Sequence, residues 1–162
     1  ALLIASAPMS LANEAEDVIE EMLDLVRNNR GSVSIGQKSV TGDTATYRGI
    51  SIAGPQGQVV VDIPSLDAAP RDGGIGVDYA RIITLTVTDD DLPSPLVFTM
   101  TSATPDLVVS GETGARRHTW SDSLVTVTGG DEAGPFTIDL RLEDPAEVQI
   151  WEGTDTSRVT GE

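Results

Sequence analysis

From Asn13 to Asn29, apolar residues return every three or four positions, at Val18, Ile19, Met22, Leu23, Leu25 and Val26. Glu14, Glu16, Glu20 and Asp24 fill the other side. This spacing gathers the apolar set on one stripe and predicts an amphipathic helix. Asn13 is a good N-cap, Glu16 stands three residues on as in a capping box, and the early acidic residues meet the positive end of the helix dipole. Arg27 and Arg30 lie near the negative end, and Gly31 offers the stop. The Val18, Met22, Leu25 and Val26 face has two competing uses. Packing on the rest of the chain is the ordinary one; gripping a partner or a lipid through an adaptable, Met-containing surface is the other.

After Gly31 the period changes from helical to alternating, with Gly, Pro, Asp and Thr punctuating short runs rich in Val, Ile and Thr. Val59, Val61 and Ile63 share one face of a run whose other face carries Val60 and Asp62. Ile83, Leu85 and Val87 alternate with Ile82, Thr84, Thr86 and Thr88, and Leu96, Phe98 and Met100 with Thr99 and Thr101. Phe136, Ile138, Leu140 and Leu142 form an inward set against Thr137, Asp139 and Arg141. Alternation of this kind marks strands with one buried face. Further candidates are Ser32 to Gly36, Ala45 to Ile52, Leu107 to Ser110, His118 to Trp120, Ser123 to Thr128 and Val148 to Trp151. About nine or ten strands behind a single helix predict a mainly β, α+β fold. The expected form is an antiparallel meander, as a curved sheet or open barrel, packed on the N-terminal helix. Ala68 to Gly76, with Pro70, Gly73, Gly74 and Gly76, reads as the longest flexible loop. Ala53-Gly54-Pro55 and Ala133-Gly134-Pro135 read as a recurring turn before a strand, each strand carrying an outward Asp, Asp62 or Asp139.

The first dozen residues, Ala1 to Ala12, are apolar and close on Ser10-Leu11-Ala12, the small-x-small pattern of a signal peptidase site. They read as a signal-peptide remnant and predict a periplasmic or otherwise exported protein. The run is too short for a membrane span, which needs about 20 apolar residues. Residues 13–152 read as one domain and Gly153 to Glu162 as a polar tail, in a chain of 162 residues. Aromatics make up 4% of the chain, so Val, Ile and Leu must build the core, with Trp120 and Trp151 as heavy anchors. No cysteine is present, which excludes disulfides, thiolate metal sites and a Cys nucleophile. A net charge of −16 opposes binding to nucleic acid and to an anionic bilayer.

Chemistry-bearing groups are sparse. Arg116, Arg117 and His118 form one candidate ligand-binding group, since paired guanidinium groups grip carboxylates or phosphates. His118 lacks the nucleophile and orienting carboxylate that a general base needs, and neighbouring strand residues such as Ser121 and Asp122 face apart. Asp89, Asp90 and Asp91 are the densest carboxylate run and a candidate metal site, although the alternating spacing of a calcium loop is missing. Gly74-Ile75-Gly76 fails as a dinucleotide fingerprint because Tyr79 takes the third glycine's place and a strand follows. No catalytic residue and no cofactor is assigned.

The acidic helix, then Gly42-Asp43-Thr44 opening Thr- and Val-rich strands, then Pro105-Asp106-Leu107-Val108-Val109-Ser110-Gly111, resemble an uncharacterised family of alphaproteobacterial envelope proteins known only as a domain of unknown function. The resemblance implies an envelope address and this architecture; it brings no functional residues. The leading expectation is a non-enzymatic envelope protein acting as a binding or structural module on a protein or an apolar small molecule. The alternative is a carrier of an apolar ligand or lipid in a groove between sheet and helix, with Ile83, Leu85, Phe98 and Met100 in its lining. A carboxylate-based hydrolase is the third. The discriminating feature is the apolar face of the sheet: filled by the helix, or hollow.

Overall fold

Asn13 caps the helix as its spacing predicts. Its Oδ1 accepts a hydrogen bond from the Glu16 amide (3.1 Å), and α1 runs from Glu14 to Asn28. Glu16 does not complete the capping box; its carboxylate is committed to Lys38 instead, at 2.7 Å. The computed structural model describes residues 13–92, 95–102, 106–111, 117–120, 123–131, 134–142, 148–152 and 156–160. The Ala1 to Ala12 segment lies outside them.

Among the described residues, twelve strands follow the helix: β1 (Ser32–Thr41), β2 (Thr44–Ala53), β3 (Val59–Arg71), β4 (Gly74–Tyr79), β5 (Ile82–Val87), β6 (Leu96–Ser102), β7 (Asp106–Ser110), β8 (Arg117–Trp120), β9 (Ser123–Asp131), β10 (Gly134–Leu142), β11 (Val148–Glu152) and β12 (Thr156–Thr160). Every described pairing is antiparallel, and they join in one open sheet, so the fold is mainly β with one N-terminal helix. Thr156–Thr160, expected within a polar tail, is a strand paired with β11.

The 13-residue strand β3 organises the sheet. Along one edge it pairs with β2 from Val60 to Ala68. Its other edge forks, with Val59 to Asp62 on β5 and Leu66 to Arg71 on β4. One branch continues as β5, β6, β9 and β10, the other as β4, β7, β8, β11 and β12. The fork falls at Pro64, which has no amide to donate. Gly49 and Gly36 stand in the same row on β2 and β1, and both ladders omit that row. Gly49 adopts φ +63, a conformation that side chains oppose. The inward face changes parity across this crease: Ala45 and Tyr47 give way to Ile50 and Ile52 on β2, and Val59, Val61 and Ile63 to Leu66 and Ala68 on β3. The crease therefore keeps apolar side chains on the helix side while the sheet bends, as bulges do.

Ala68 to Gly76 is not a loop. It contains the end of β3, a tight turn at Asp72 and Gly73, and the start of β4. The glycines and proline have structural duties in strands. Pro70 lies past the last β2 partner, where β3 has become an edge that tolerates a missing amide. Gly76 leaves room for the Arg71 side chain, whose Cδ a Cβ there would overlap.

Ala15, Val18, Ile19 and Leu23 of α1 pack on Ala45, Tyr47, Leu66, Ala68, Val77 and Val109. Tyr47, 0% exposed, is the largest fully buried side chain among the described residues; the side chains of Trp120 and Trp151, expected as anchors, lie outside them.

Candidate functional site

The helix is held very differently at its two ends. At the N-terminal end, Ala15, Val18 and Ile19 are at most 1% exposed, and a polar cluster reinforces the contact. Asn13 Nδ2 donates to the Gly42 carbonyl in the β1–β2 turn. Lys38 Nζ, 5.4 Å from the centre of the Tyr47 ring, reaches Glu16 at 2.7 Å and Glu20 at 2.6 Å. The Tyr47 hydroxyl donates to Glu20 Oε1 at 3.0 Å. Burial together with the Glu20 hydrogen bond pushes the Tyr47 phenol up to about 12. For Lys38, burial works against the charged form, yet the bonds to Glu16 and Glu20 win and raise it. In Glu20, burial alone would raise the carboxyl, but donors from Lys38, Tyr47 and Arg27 hold it below its ordinary value. Each shift favours the ionic form found here for Lys38 and Glu20, and the neutral phenol for Tyr47.

Toward its C-terminal end the helix lifts over a hollow. A cavity of about 570 Å³ lies between α1 and the crease of the sheet. Ile19, Met22, Leu23, Leu25, Val26 and Asn29 form its roof, and Ile50, Ile52, Val59, Val61, Ile63 and Leu66 its floor. Gly31, Ala53, Gly54 and Pro55 close one end. Of these residues only Asn29 carries a polar side chain, and it caps the helix by donating to the Leu25 carbonyl at 2.8 Å. The lining holds no acid, base or nucleophile. Its volume falls within the usual range of small-molecule pockets, about 300–1,000 Å³. A hollow with so apolar a lining favours apolar guests, because water inside it finds too few partners.

The floor does not stop at the helix. Val59 and Val61 oppose Val87 and Leu85 on β5; Ile83, Leu85 and Val87 in turn oppose Met100, Phe98 and Leu96 on β6. Directly paired antiparallel residues point to the same side, so one apolar face crosses from β3 through β6. Val127 of β9 and Phe136, Ile138 and Leu140 of β10 prolong it, with Phe98 and Phe136 ring centres 5.8 Å apart. Ile138 and Leu140 are each 50% exposed. Among the described residues, the helix packs mainly on β1 to β4, and Ile83, Leu85, Val87, Leu96, Phe98 and Met100 on this branch are half-buried. The reverse face carries Asp62, Thr84, Thr86, Thr99, Thr101, Thr126, Thr128 and Asp139, the last accepting from Thr126 at 2.8 Å.

Of the expected binding group, Arg117 and His118 lie on β8, where His118 pairs in register with Val109 and Gln149. Their side chains, and Arg116 altogether, lie outside the described residues. Asp89, Asp90 and Asp91 are exposed beyond the end of β5, with the Asp91 amide donating to Asp89 Oδ1 at 2.9 Å. Among the described residues, no three His, Cys, Asp or Glu side chains are grouped to hold a metal ion. None of the described helices is long and apolar enough to cross a membrane. Ile83, Leu85, Phe98 and Met100, named from sequence as groove lining, occupy the half-buried continuation of the floor rather than the cavity itself. The roof residues Met22, Leu25 and Val26 were visible in the helical stripe; the hollow beneath them had no sequence signal.

No family model, no curated protein and no solved structure matches the chain.

Proposed function

We propose that this protein is a non-enzymatic binding module that carries an apolar ligand in the groove between the C-terminal half of α1 and the creased sheet. The observation that carries the proposal is the hollow itself: about 570 Å³, lined almost wholly by apolar side chains and continuous with the apolar sheet face of β5 and β6. A continuous apolar track of this kind suits a long, flexible hydrocarbon better than a compact ring system. Each methylene buried contributes about 0.8 kcal/mol, so a chain of about ten carbons supplies about 8 kcal/mol to set against the cost of association. The apolar Ala1 to Ala12 segment supports an exported address for such a carrier. The strongly acidic surface keeps it off anionic bilayers while it carries its load.

The test is displacement of an environment-sensitive apolar fluorophore by long-chain alcohols, with native mass spectrometry of gently extracted protein. Saturable binding is expected in the wild type, and Val61→Phe, which fills the groove while keeping it apolar, should abolish it. Val61→Asp should do the same by burying a charge. Absence of saturable binding in the wild type, or full binding by both variants, would overturn the proposal.

A further inference from the structure

We infer that the outer edge of β10 is a docking surface for a second copy of this chain, which pairs with it about a two-fold axis at Leu140 and continues the sheet from one copy into the other.

An open sheet edge presents a row of unpaired backbone donors and acceptors, and proteins guard such edges with short strands, irregular ladders or a covering element. Among the described residues three strands pair along one side only: β1, β10 and β12. The ladder of β1 is broken at Gly36, and α1 packs against that strand. β12 is five residues long. β10 is both long and regular, its nine residues pairing without a bulge from Gly134 opposite Asp131 to Leu142 opposite Ser123. A regular edge of this length is a template for another strand.

The apolar face is most exposed beside this edge. Ile83, Leu85, Phe98 and Met100 are half-buried on β5 and β6. On β10 itself, Phe136 is held, with its ring over Gly129 and close to that of Phe98, whereas Ile138 and Leu140 are each 50% exposed. Large apolar side chains standing next to unpaired backbone mark an interaction site.

Charge decides the occupant and the register. In a two-fold pairing of β10 with itself the strands run antiparallel, and an axis perpendicular to the sheet keeps both apolar faces on one side. Centred on Leu140, the pairing sets Asp139 opposite Arg141 of the second copy and Arg141 opposite Asp139 of the second copy, so two opposite-charge pairs form on the polar face. Centring it on Asp139 or on Arg141 sets like charges against each other. Centring it on Ile138 brings Arg141 against Pro135, which has no amide for the ladder. A slip of one residue turns the apolar face of one copy against the polar face of the other. The strand is therefore complementary to itself in one register, as an isologous interface requires.

The experiment is sedimentation equilibrium of the wild-type chain from micromolar to millimolar concentration, the range of small interfaces. Salt at about 0.15 M screens the repulsion between two chains of net charge −16. A reversible monomer–dimer equilibrium is expected. Asp139→Arg and Arg141→Asp, both at exposed positions, each make the two cross-strand pairs repulsive and should weaken self-association about tenfold or more. Mixed together, the two variants should associate with each other about as tightly as the wild type does with itself, since each supplies the charges that the other lacks. That rescue separates a lost contact from a lost fold. A wild type that stays monomeric throughout, association that neither variant weakens, or no rescue on mixing would overturn the inference. So would species growing beyond the dimer, the mark of β10 pairing with β12 of the next copy in an open chain. A monomer whose binding of an apolar fluorophore is removed by Ile138→Lys would overturn it too, by giving the face to an apolar ligand.

Discussion

Replacing Tyr47 by phenylalanine removes one atom from the anchored end of the helix, and its consequences follow from the surroundings of that atom. The hydroxyl donates to the Glu20 carboxylate at 3.0 Å, inside a side chain with 0% exposure. A hydrogen bond to a charged partner contributes about 1.5–3 kcal/mol. Glu20 keeps Lys38 and Arg27 and is 29% exposed, so water softens the loss. The low end, about 1.5 kcal/mol, is expected near neutral pH, or about 3–6 °C in Tm for a domain of this size. The pH dependence is more telling. The phenol sits at about 12 in the folded protein against an ordinary 10, so folding favours its protonated form. That stabilisation is complete below pH 10 and lost as pH rises through about 12. About 1.4 kcal/mol is gone by about pH 11, and about 2.7 kcal/mol when both states have ionised. Lys38, also raised, loses stabilisation in the same alkaline direction; the larger causes of that rise, the bonds to Glu16 and Glu20, persist in both proteins, while the smaller contribution of Tyr47 is lost with the hydroxyl. Urea unfolding should therefore show Tyr47→Phe weaker by about 1.5 kcal/mol at about pH 8, level near about pH 11, and stronger than the wild type beyond it. A gap between the two proteins that stays constant from neutral to alkaline pH would refute the coupling between Tyr47 and Glu20.

Gly31→Ala should destabilise the fold by about 1–3 kcal/mol in the same assay, because its Cβ would lie 2.7 Å from Val26 Cγ1 and 2.9 Å from the Ala53 oxygen, forcing the end of the helix off β2. Arg30→Gly should stabilise by about 0.5–1 kcal/mol in the same assay, the relief at φ +65 exceeding the added entropy of the unfolded chain. Gly49→Ala would make only ordinary contact with the Gly36 backbone, at 3.8 Å, but its φ of +63 should cost about 1–2 kcal/mol, measured by thermal unfolding. By contrast, breaking the bidentate Arg48–Asp67 pair, about 40% exposed on each side, should cost under about 1 kcal/mol and fade in high salt.

Much of the architecture was legible because it rests on period. The stripe of Val18, Ile19, Met22 and Leu23 determined the helix, Asn13 its start, and alternation from Val59 to Ile63 or Phe136 to Leu142 the strands and their inward faces. Local composition misled where glycine and proline serve tertiary contacts. Pro70 and Gly76 read as loop residues because the free edge of β3 and the Arg71 side chain over Gly76 exist only once distant strands have paired. The same applies to Tyr47, an ordinary strand residue until Glu20 and Lys38 close around its ring and hydroxyl. Patterning tells a side chain which face to take, and it cannot tell how far an opposing element stands from that face. Whether the apolar stripe of α1 would meet the apolar floor or stand off from it was set by the crease at Gly36, Gly49 and Pro64 and by the tight approach at Gly31. Those long-range constraints seat one half of the helix on the sheet and hold the other half above a hollow.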